Sequence, residues 1–297
     1  MAFSDERIVG LLAVLDLTDP GARTREDIFT ASSQWMPHDR VYGGQVLAQS
    51  VLAASRTAAS DRLIHSLHGY FLRPGAIDLP ITLAVDRIHD GRSFATRRVQ
   101  AHQNGLPIFS MIASFQVPEA GVAHQTAMPA DLPGPDDLPD IDERIRTSVR
   151  IDAPRDEETW ASRWPFEFRH IPSPIYRSVE GERSATQAVW MRTVGPLPDD
   201  EVLHRAVFAF ASDQNLMEPV MRRHGVAWTT PGLRMASLDH AMWWHRPGRA
   251  DEWFLYAEES PNATGGRGLG FGRIYRRDGT LIASTAQEGM IRVPAER

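Results

Sequence analysis

The chain has 297 residues, 42% hydrophobic and 24% charged, a balance that excludes a disordered, collagen-like or coiled-coil protein and leaves one large domain or two of average size open. A net charge of -6 excludes the broad basic face of a nucleic-acid binder, so any site for an anion must be local. The absence of cysteine removes disulfides, cysteine-held zinc, iron–sulfur clusters and thiol nucleophiles together, and fits a reducing compartment.

Taken in chain order, an apolar run from Ile8 to Leu15 follows Asp5 and Glu6, the wrong charge for a secretory signal. Ser4 is expected to cap an ordinary amphipathic helix over residues 5–16. The longest uninterrupted apolar runs, such as Ala206 to Ala211, fall far short of the ~20 residues that cross a bilayer, so no membrane span is expected and the cytoplasm is the expected location. Gly43-Gly44-Gln45 leads into Leu47, Val51 and Ala54 at helical spacing. Residues 76–88, 94–101 and 108–115 read as strands joined by the hairpin signals Asp90-Gly91 and Asn104-Gly105. Residues 118–142 alternate proline with aspartate and read as a linker. The expected division is an N-terminal unit over 1–120, a linker over 121–155 and a C-terminal unit over 156–297. In the second unit, Asp199 and Asp200 start a helix with Leu203, Val207 and Phe210 on one face, which Pro219 should bend or end. Strands over 253–258, 270–275 and 281–287 complete it.

The two halves echo each other. Tyr70-Phe71-Leu72-Arg73-Pro74 matches Trp243-Trp244-His245-Arg246-Pro247 at an offset of 173, and the hairpin turns Asn104-Gly105 and Asp278-Gly279 recur one residue out of that register. Each half then reads as one helix leading into an antiparallel sheet, and the whole as an α+β double hotdog. Sheet edges and faces of this kind call for covering, so a homo-oligomer, dimer or tetramer, is expected.

Several segments resemble the type II acyl-coenzyme A thioesterase family: Val41-Tyr42-Gly43-Gly44-Gln45, Tyr70-Phe71-Leu72-Arg73-Pro74-Gly75, Asp90-Gly91-Arg92-Ser93-Phe94, Gln103-Asn104-Gly105, Ala211-Ser212-Asp213, Leu238-Asp239-His240-Ala241-Met242-Trp243, and Ala283 to Gly289. The resemblance implies a double-hotdog fold and hydrolysis of acyl-CoA thioesters with no metal and no cofactor. It further implies a site in the second half built from an Asp, a Thr or Ser, and a Gln, which here are Asp213, Ser237 and Gln287. Ser237 retains the hydroxyl where many bacterial members carry Thr.

The chemistry asked of these residue types is coherent in itself. A thioester carbonyl is electrophilic and its thiolate leaves readily, so the enzyme mainly has to orient a water and stabilise an oxyanion. Asp213 can accept a proton from that water or fix it by a hydrogen bond, while the Gln287 amide and the Ser237 hydroxyl complete its orientation. Gly43 and Gly44, small and at a helix start, are expected to lend backbone N–H groups to the oxyanion. Arg267 and Trp243 complete the expected substrate contacts, Arg267 toward a CoA phosphate. Taken singly, Asp213 reads as a solvated helix residue; the agreement of three segments with one pattern supports the joint reading. The pair Asp239-His240 is expected to fix a loop beside the site.

Other constellations are weaker. His65 with His68, and His240 with His245, lie at spacings that put the rings on opposite faces of a strand, so neither pair chelates. Gly265 to Gly272 leads into a strand, whereas a dinucleotide loop must lead into a helix. Asp199-x4-His204 has the spacing of a hotdog enoyl-CoA hydratase without its setting. The remaining alternative is a non-catalytic acyl-CoA binding protein. At the offset of 173, Ser114 and Ile64 stand where Gln287 and Ser237 stand, so one site per chain is expected.

Overall fold

Alternation along the strands becomes two-faced sheet: in Phe94–Gln103, the residues Ala95, Arg97, Val99, Ala101 and Gln103 point inward and the intervening side chains outward. A computed structural model describes residues 5–22, 25–36, 39–139 and 163–293. Its elements in chain order are α1 (Glu6–Leu15), β1 (Asp27–Ala31), α2 (Gly43–Thr57), β2 (Leu63–Phe71), β3 (Ile81–Asp90), β4 (Phe94–Gln103), β5 (Leu106–Gln116), β6 (Phe166–Ile171), β7 (Thr186–Thr193), α3 (Glu201–Ser212), α4 (Glu218–His224), β8 (Arg234–Ser237), β9 (Asp239–Trp244), β10 (Phe254–Thr264), β11 (Arg267–Arg276) and β12 (Leu281–Arg292). One sheet runs β1-β3-β4-β5-β2-β9-β12-β11-β10-β7-β6, with β8 beside β12. Every pairing is antiparallel, and the two halves join where β2 meets β9, with Ser66 opposite Trp243.

The inner face of this sheet wraps α2 and α3. Every residue of α2 from Gly44 to Ala54, and of α3 from His204 to Ser212, is buried, and the polar Gln45 and Gln49 of α2 both donate to the Ser32 carbonyl. The two helices press on each other closely: a Cβ placed on Gly44 would lie 2.3 Å from the Phe210 carbonyl oxygen. The Tyr42 hydroxyl donates to that same carbonyl at 2.8 Å. The far end of α2 is held by the buried Arg97, whose guanidinium donates to the Thr57 hydroxyl and carbonyl.

The repeat is a repeat of the sheet. β4 and β11 begin and end 173 residues apart, and β3 and β10 begin 173 apart. The helices break this register, because α2 and α3 start 158 residues apart. The second half spends residues 213–233 between helix and sheet, where the first half spends only 58–62. The architecture is a double hotdog in which one copy has a longer segment between its helix and its sheet.

Four local readings differ from the sequence expectation. Ser4 lies outside the described residues, and Asp5 caps α1 by accepting from the Arg7 amide at 2.9 Å. β3 starts at Ile81 instead of residue 76, because Pro80 offers no N–H and the Gln103 side chain already holds the Ala76 amide and the carbonyls of Ala76 and Leu79. α3 stops at Ser212, well short of Pro219, which instead sits in the first turn of α4, where its missing N–H costs nothing. The proline-rich segment is a strap: Met128, Leu132 and Leu138 pack on Trp190, Leu255, Tyr275 and Leu281, and the Trp190 Nε1–H donates to the Pro133 carbonyl at 2.9 Å. Residues 140–155 of the expected linker lie outside the described residues.

The crossing at Gly44 should tolerate no methyl. Gly44→Ala is expected to cost about 1–3 kcal/mol through overpacking, whereas Gly10→Ala, in open space on the exposed face of α1, should add about 0.5–1 kcal/mol. Urea unfolding of both variants checks the pair; equal midpoints would contradict the tight crossing.

Candidate active site

α3 is started by Asp200, whose carboxylate accepts from the amides of Val202 and Leu203 at 2.8 and 3.3 Å. It ends at Asp213, which is the first residue past the last turn and projects toward the start of α2. That helix start has no side-chain cap of its own from Tyr42. The Asp213 carboxylate meets it from the other half of the chain: the nearby Gly44 amide favours its charged form, and a Cβ on Gly43 would lie 2.6 Å from its Oδ2. Gly43 and Gly44 therefore make room for a carboxylate at the start of α2.

Two further elements complete the cluster. Ser237 ends β8 opposite Gly289, and its hydroxyl donates to Asp213 Oδ1 at 2.8 Å. Gln287, on the inner face of β12, donates from Nε2 to Ser237 Oγ at 2.9 Å. The three residues singled out by the sequence thus form one hydrogen-bonded path. Asp213 keeps some exposure as a residue, while its carboxyl is enclosed. Burial raises its pKa to about 6, against the hydrogen bonds from Ser237, Gln287 and Gly44, which favour the charged form. Burial and the nearby Asp213 charge push the Tyr42 hydroxyl well above its ordinary value, and burial with Glu258 first among the charges does the same to Tyr256, so both remain protonated donors.

Sequence reasoning missed the other side of Gln287. The His240 ring, expected only to fix a loop, meets Gln287 Oε1 through Nδ1 at 2.5 Å and Ser212 Oγ through Nε2 at 3.0 Å. Burial pushes its pKa down to about 4, so it is neutral near pH 7. The only hint in the sequence is the alternation of β9, which puts His240 on one face with Met242 and Trp244 and does not say what they face.

The same alternation turns Trp243 away. It pairs with Ser66 and Ser284 and meets the His68 ring edge-on at 5.2 Å, on the opposite face of the sheet from His240. Arg267 is half-exposed and donates to Glu288 Oε1 at 2.9 Å, on the outward side of β11 and β12. Neither belongs to the cluster around Asp213. Asp199 is exposed and paired with Arg249, while the buried His204 accepts from the Ala250 amide, so the spacing of a hydratase pair is not matched by an assembled site. Among the described residues no three of His, Asp and Glu converge as a metal site, and no helix is long and apolar enough to cross a membrane.

The turn that carries Asp213 is anchored from behind by α4. Glu218 accepts from the Trp228 ring N–H at 2.8 Å and from Gln187 at 2.9 Å, and Gln187 also donates to Glu258 at 2.7 Å. Burial pushes both carboxyls up, with Arg222 opposing it. Met217, in the turn itself, lies over Gly268 and Gly289, next to the Ser237 position.

Comparison with known proteins covers both halves. A family profile described as acyl-CoA thioesterase matches residues 156–290, and one described as acyl-CoA thioesterase N-terminal domain matches residues 31–116. Acyl-CoA thioesterase 2 of Haemophilus influenzae is 38% identical over 89% of this chain and 92% of its own length. Acyl-coenzyme A thioesterase 8 of Homo sapiens is 38% identical over 90% of this chain and 85% of its own. The crystal structure of an acyl-CoA thioesterase II from Mycobacterium marinum aligns with a TM-score of 0.77 at 39% identity, over 96% of this chain and 99% of that one.

A carboxylate whose pKa is raised on folding weakens the fold once it ionises. The unfolded group loses its proton near its ordinary value of 3.8 and the folded one only near 6, so this contribution to stability falls as pH rises between the two and stays low above them. Asp213→Asn should therefore unfold later than the wild type at pH 8, by about 2 kcal/mol, and lose that advantage near pH 4. Urea unfolding at the two pH values is the measurement; an Asn variant less stable at pH 8 would contradict the assignment.

Proposed function

The chain belongs to the acyl-CoA thioesterase family and hydrolyses acyl-CoA thioesters, and we propose that it does so with a water that Asp213 deprotonates and Ser237 and Gln287 orient. The observation that carries this reading is the continuous hydrogen-bonded path from Gln287 through Ser237 to a carboxylate whose pKa is about 6. Such a group is ionised at pH 7–8 and is a stronger base than an ordinary aspartate.

The water oxygen attacks the thioester carbonyl carbon while its proton passes to Asp213. The tetrahedral oxyanion collapses, the carbon–sulfur bond breaks, and the departing CoA thiolate takes the proton held by Asp213, leaving free CoA and a fatty acid that ionises to its carboxylate. The start of α2, through the Gly43 amide, is the donor we assign to the oxyanion. Ser237 keeps the Asp213 carboxylate in one orientation through its 2.8 Å bond, so the basic lone pair has a fixed direction. We further expect the enzyme to work in the cytoplasm as a homo-oligomer, since β1 and β6 are sheet edges and Tyr70 and Ile112 are exposed. A monomeric mass near 33.2 kDa by light scattering would contradict the second part.

Thiol release from acyl-CoAs of short to long chain tests the reaction. Asp213→Asn should lower kcat by about 10²–10⁴-fold while still binding acyl-CoA, and Ser237→Ala by about 10–10²-fold, with Ser237→Thr close to wild type. The acid limb of kcat/KM should fall below pH 6 and vanish in the Asn variant. Full turnover in Asp213→Asn would overturn the reading, and binding of every chain length without turnover in the wild type would make this a binding protein.

A further inference from the structure

Four hydrogen bonds run in series toward the base: Ser212 Oγ to His240 Nε2 at 3.0 Å, His240 Nδ1 to Gln287 Oε1 at 2.5 Å, Gln287 Nε2 to Ser237 Oγ at 2.9 Å, and Ser237 Oγ to Asp213 Oδ1 at 2.8 Å. Each link holds one hydrogen, so the directions are not independent. An ionised Asp213 only accepts, so the Ser237 hydroxyl must donate to it. Ser237 is then left to accept, which requires the NH2 end of the Gln287 amide. The carbonyl end then faces His240, and only a ring that carries its hydrogen on Nδ1 can meet it. Nε2 is left bare, and the one hydrogen of the Ser212 hydroxyl, which has both Nε2 and the Ala209 carbonyl at 3.0 Å, must then go to Nε2.

The amide has a second possible placement. Turned end for end, it would present oxygen to Ser237, and the hydroxyl would swing to that oxygen and leave Asp213 without its donor. A side chain that only accepted at the Nδ1 position would favour this reversed state. The ring itself has little freedom: it is 1% exposed, its strand is paired to β2 and β12 on either side, and Ser212 is fixed by the Tyr256 hydroxyl on its carbonyl at 3.0 Å.

We propose that His240 is a positioning residue that sets the direction of this chain: by donating from Nδ1 to Gln287 Oε1 it locks the amide with its NH2 toward Ser237 and so keeps the Ser237 hydroxyl on Asp213. The inference rests on the reading of Asp213, Ser237 and Gln287 given above. The hydrogen bonds of the His240 ring go to Gln287 and Ser212, so it reaches Asp213 only through Gln287 and Ser237. An imidazole suits the task because its two nitrogens reach Gln287 and Ser212 at once, with a donor on one side and an acceptor on the other.

The test is kcat and KM on one acyl-CoA for His240→Leu, His240→Asn, Gln287→Ala and the double variant of Leu with Ala. His240→Leu should lose about 10–10²-fold in kcat at unchanged KM. His240→Asn, whose amide N–H takes the place of Nδ1–H, should recover most of that loss. In the double variant the Leu substitution should add nothing to Gln287→Ala, because its whole effect passes through the amide. A wild-type kcat in His240→Leu, or losses that multiply in the double variant, would overturn the proposal while leaving the base and its orienters standing. Full turnover in Gln287→Ala would overturn that underlying reading, and the proposal with it. A wild-type spectrum with 15N-labelled histidine decides even where the Leu variant does not fold: the His240 signal, assigned by its loss in the Asn variant, should show hydrogen on Nδ1, and hydrogen on Nε2 would overturn the proposal.

Discussion

The close crossing of α2 and α3 is the constraint on which the rest of the structure depends. With no side chain at Gly44, the start of α2 can come against the Phe210 carbonyl one turn before α3 ends, so the Asp213 carboxylate arrives at the start of α2. Neither half could build this contact alone, since one supplies the helix start and the other the carboxylate. The contact also sets the chemistry. Enclosure raises the affinity of Asp213 for its proton, and the donors of Ser237, Gln287 and the Gly44 amide at the start of α2 hold that rise to a range where the group is still ionised near neutrality.

Duplication explains why there is one such carboxylate and where it stands. The sheets keep a common register of 173 residues, but the second half carries residues 213–233 between helix and sheet. That segment holds Asp213, the turn over Gly268 and Gly289, and α4 with its buried Glu218. In the first half α2 runs out at Thr57 and β2 begins at Leu63, too soon for an equivalent turn. In the proposed mechanism the first half works as a wall and as the donor of a helix start, while the second holds the reacting groups. Buried carboxyls beneath α4 cost desolvation, and the Gln187, Trp228 and Arg222 contacts offset part of it while pinning the turn.

Much of the fold was legible because its signals are local. Asp90-Gly91, Asn104-Gly105 and Asp278-Gly279 mark hairpins whatever surrounds them, and the spacing of Leu47, Val51 and Ala54 marks one buried face of a helix. Asp213, Ser237 and Gln287 were legible through the resemblance of their segments to the thioesterase family, and the structure brings them into one hydrogen-bonded path. What escaped depended on distant geometry. Alternation assigns Trp243 and His240 to opposite faces without saying which is inner, so the ring that bonds Gln287 looked like loop support and Trp243 looked like a substrate contact. Proline serves a helix start as well as it ends one, so Pro219, expected to bend or end α3, sits instead in the first turn of α4. A proline-rich strap buries Met128 and Leu132 only because Trp190 and Tyr275 happen to face it.

The central claim is that Asp213 acts on a water and never on the acyl group. A single turnover with enzyme in excess over acyl-CoA, run in water labelled with oxygen-18, tests it most directly. Attack by water puts the label in the released fatty acid and none in the protein. Label in the Asp213 carboxyl, with unlabelled acid released, would show that the carboxylate attacked the thioester itself and would contradict the account.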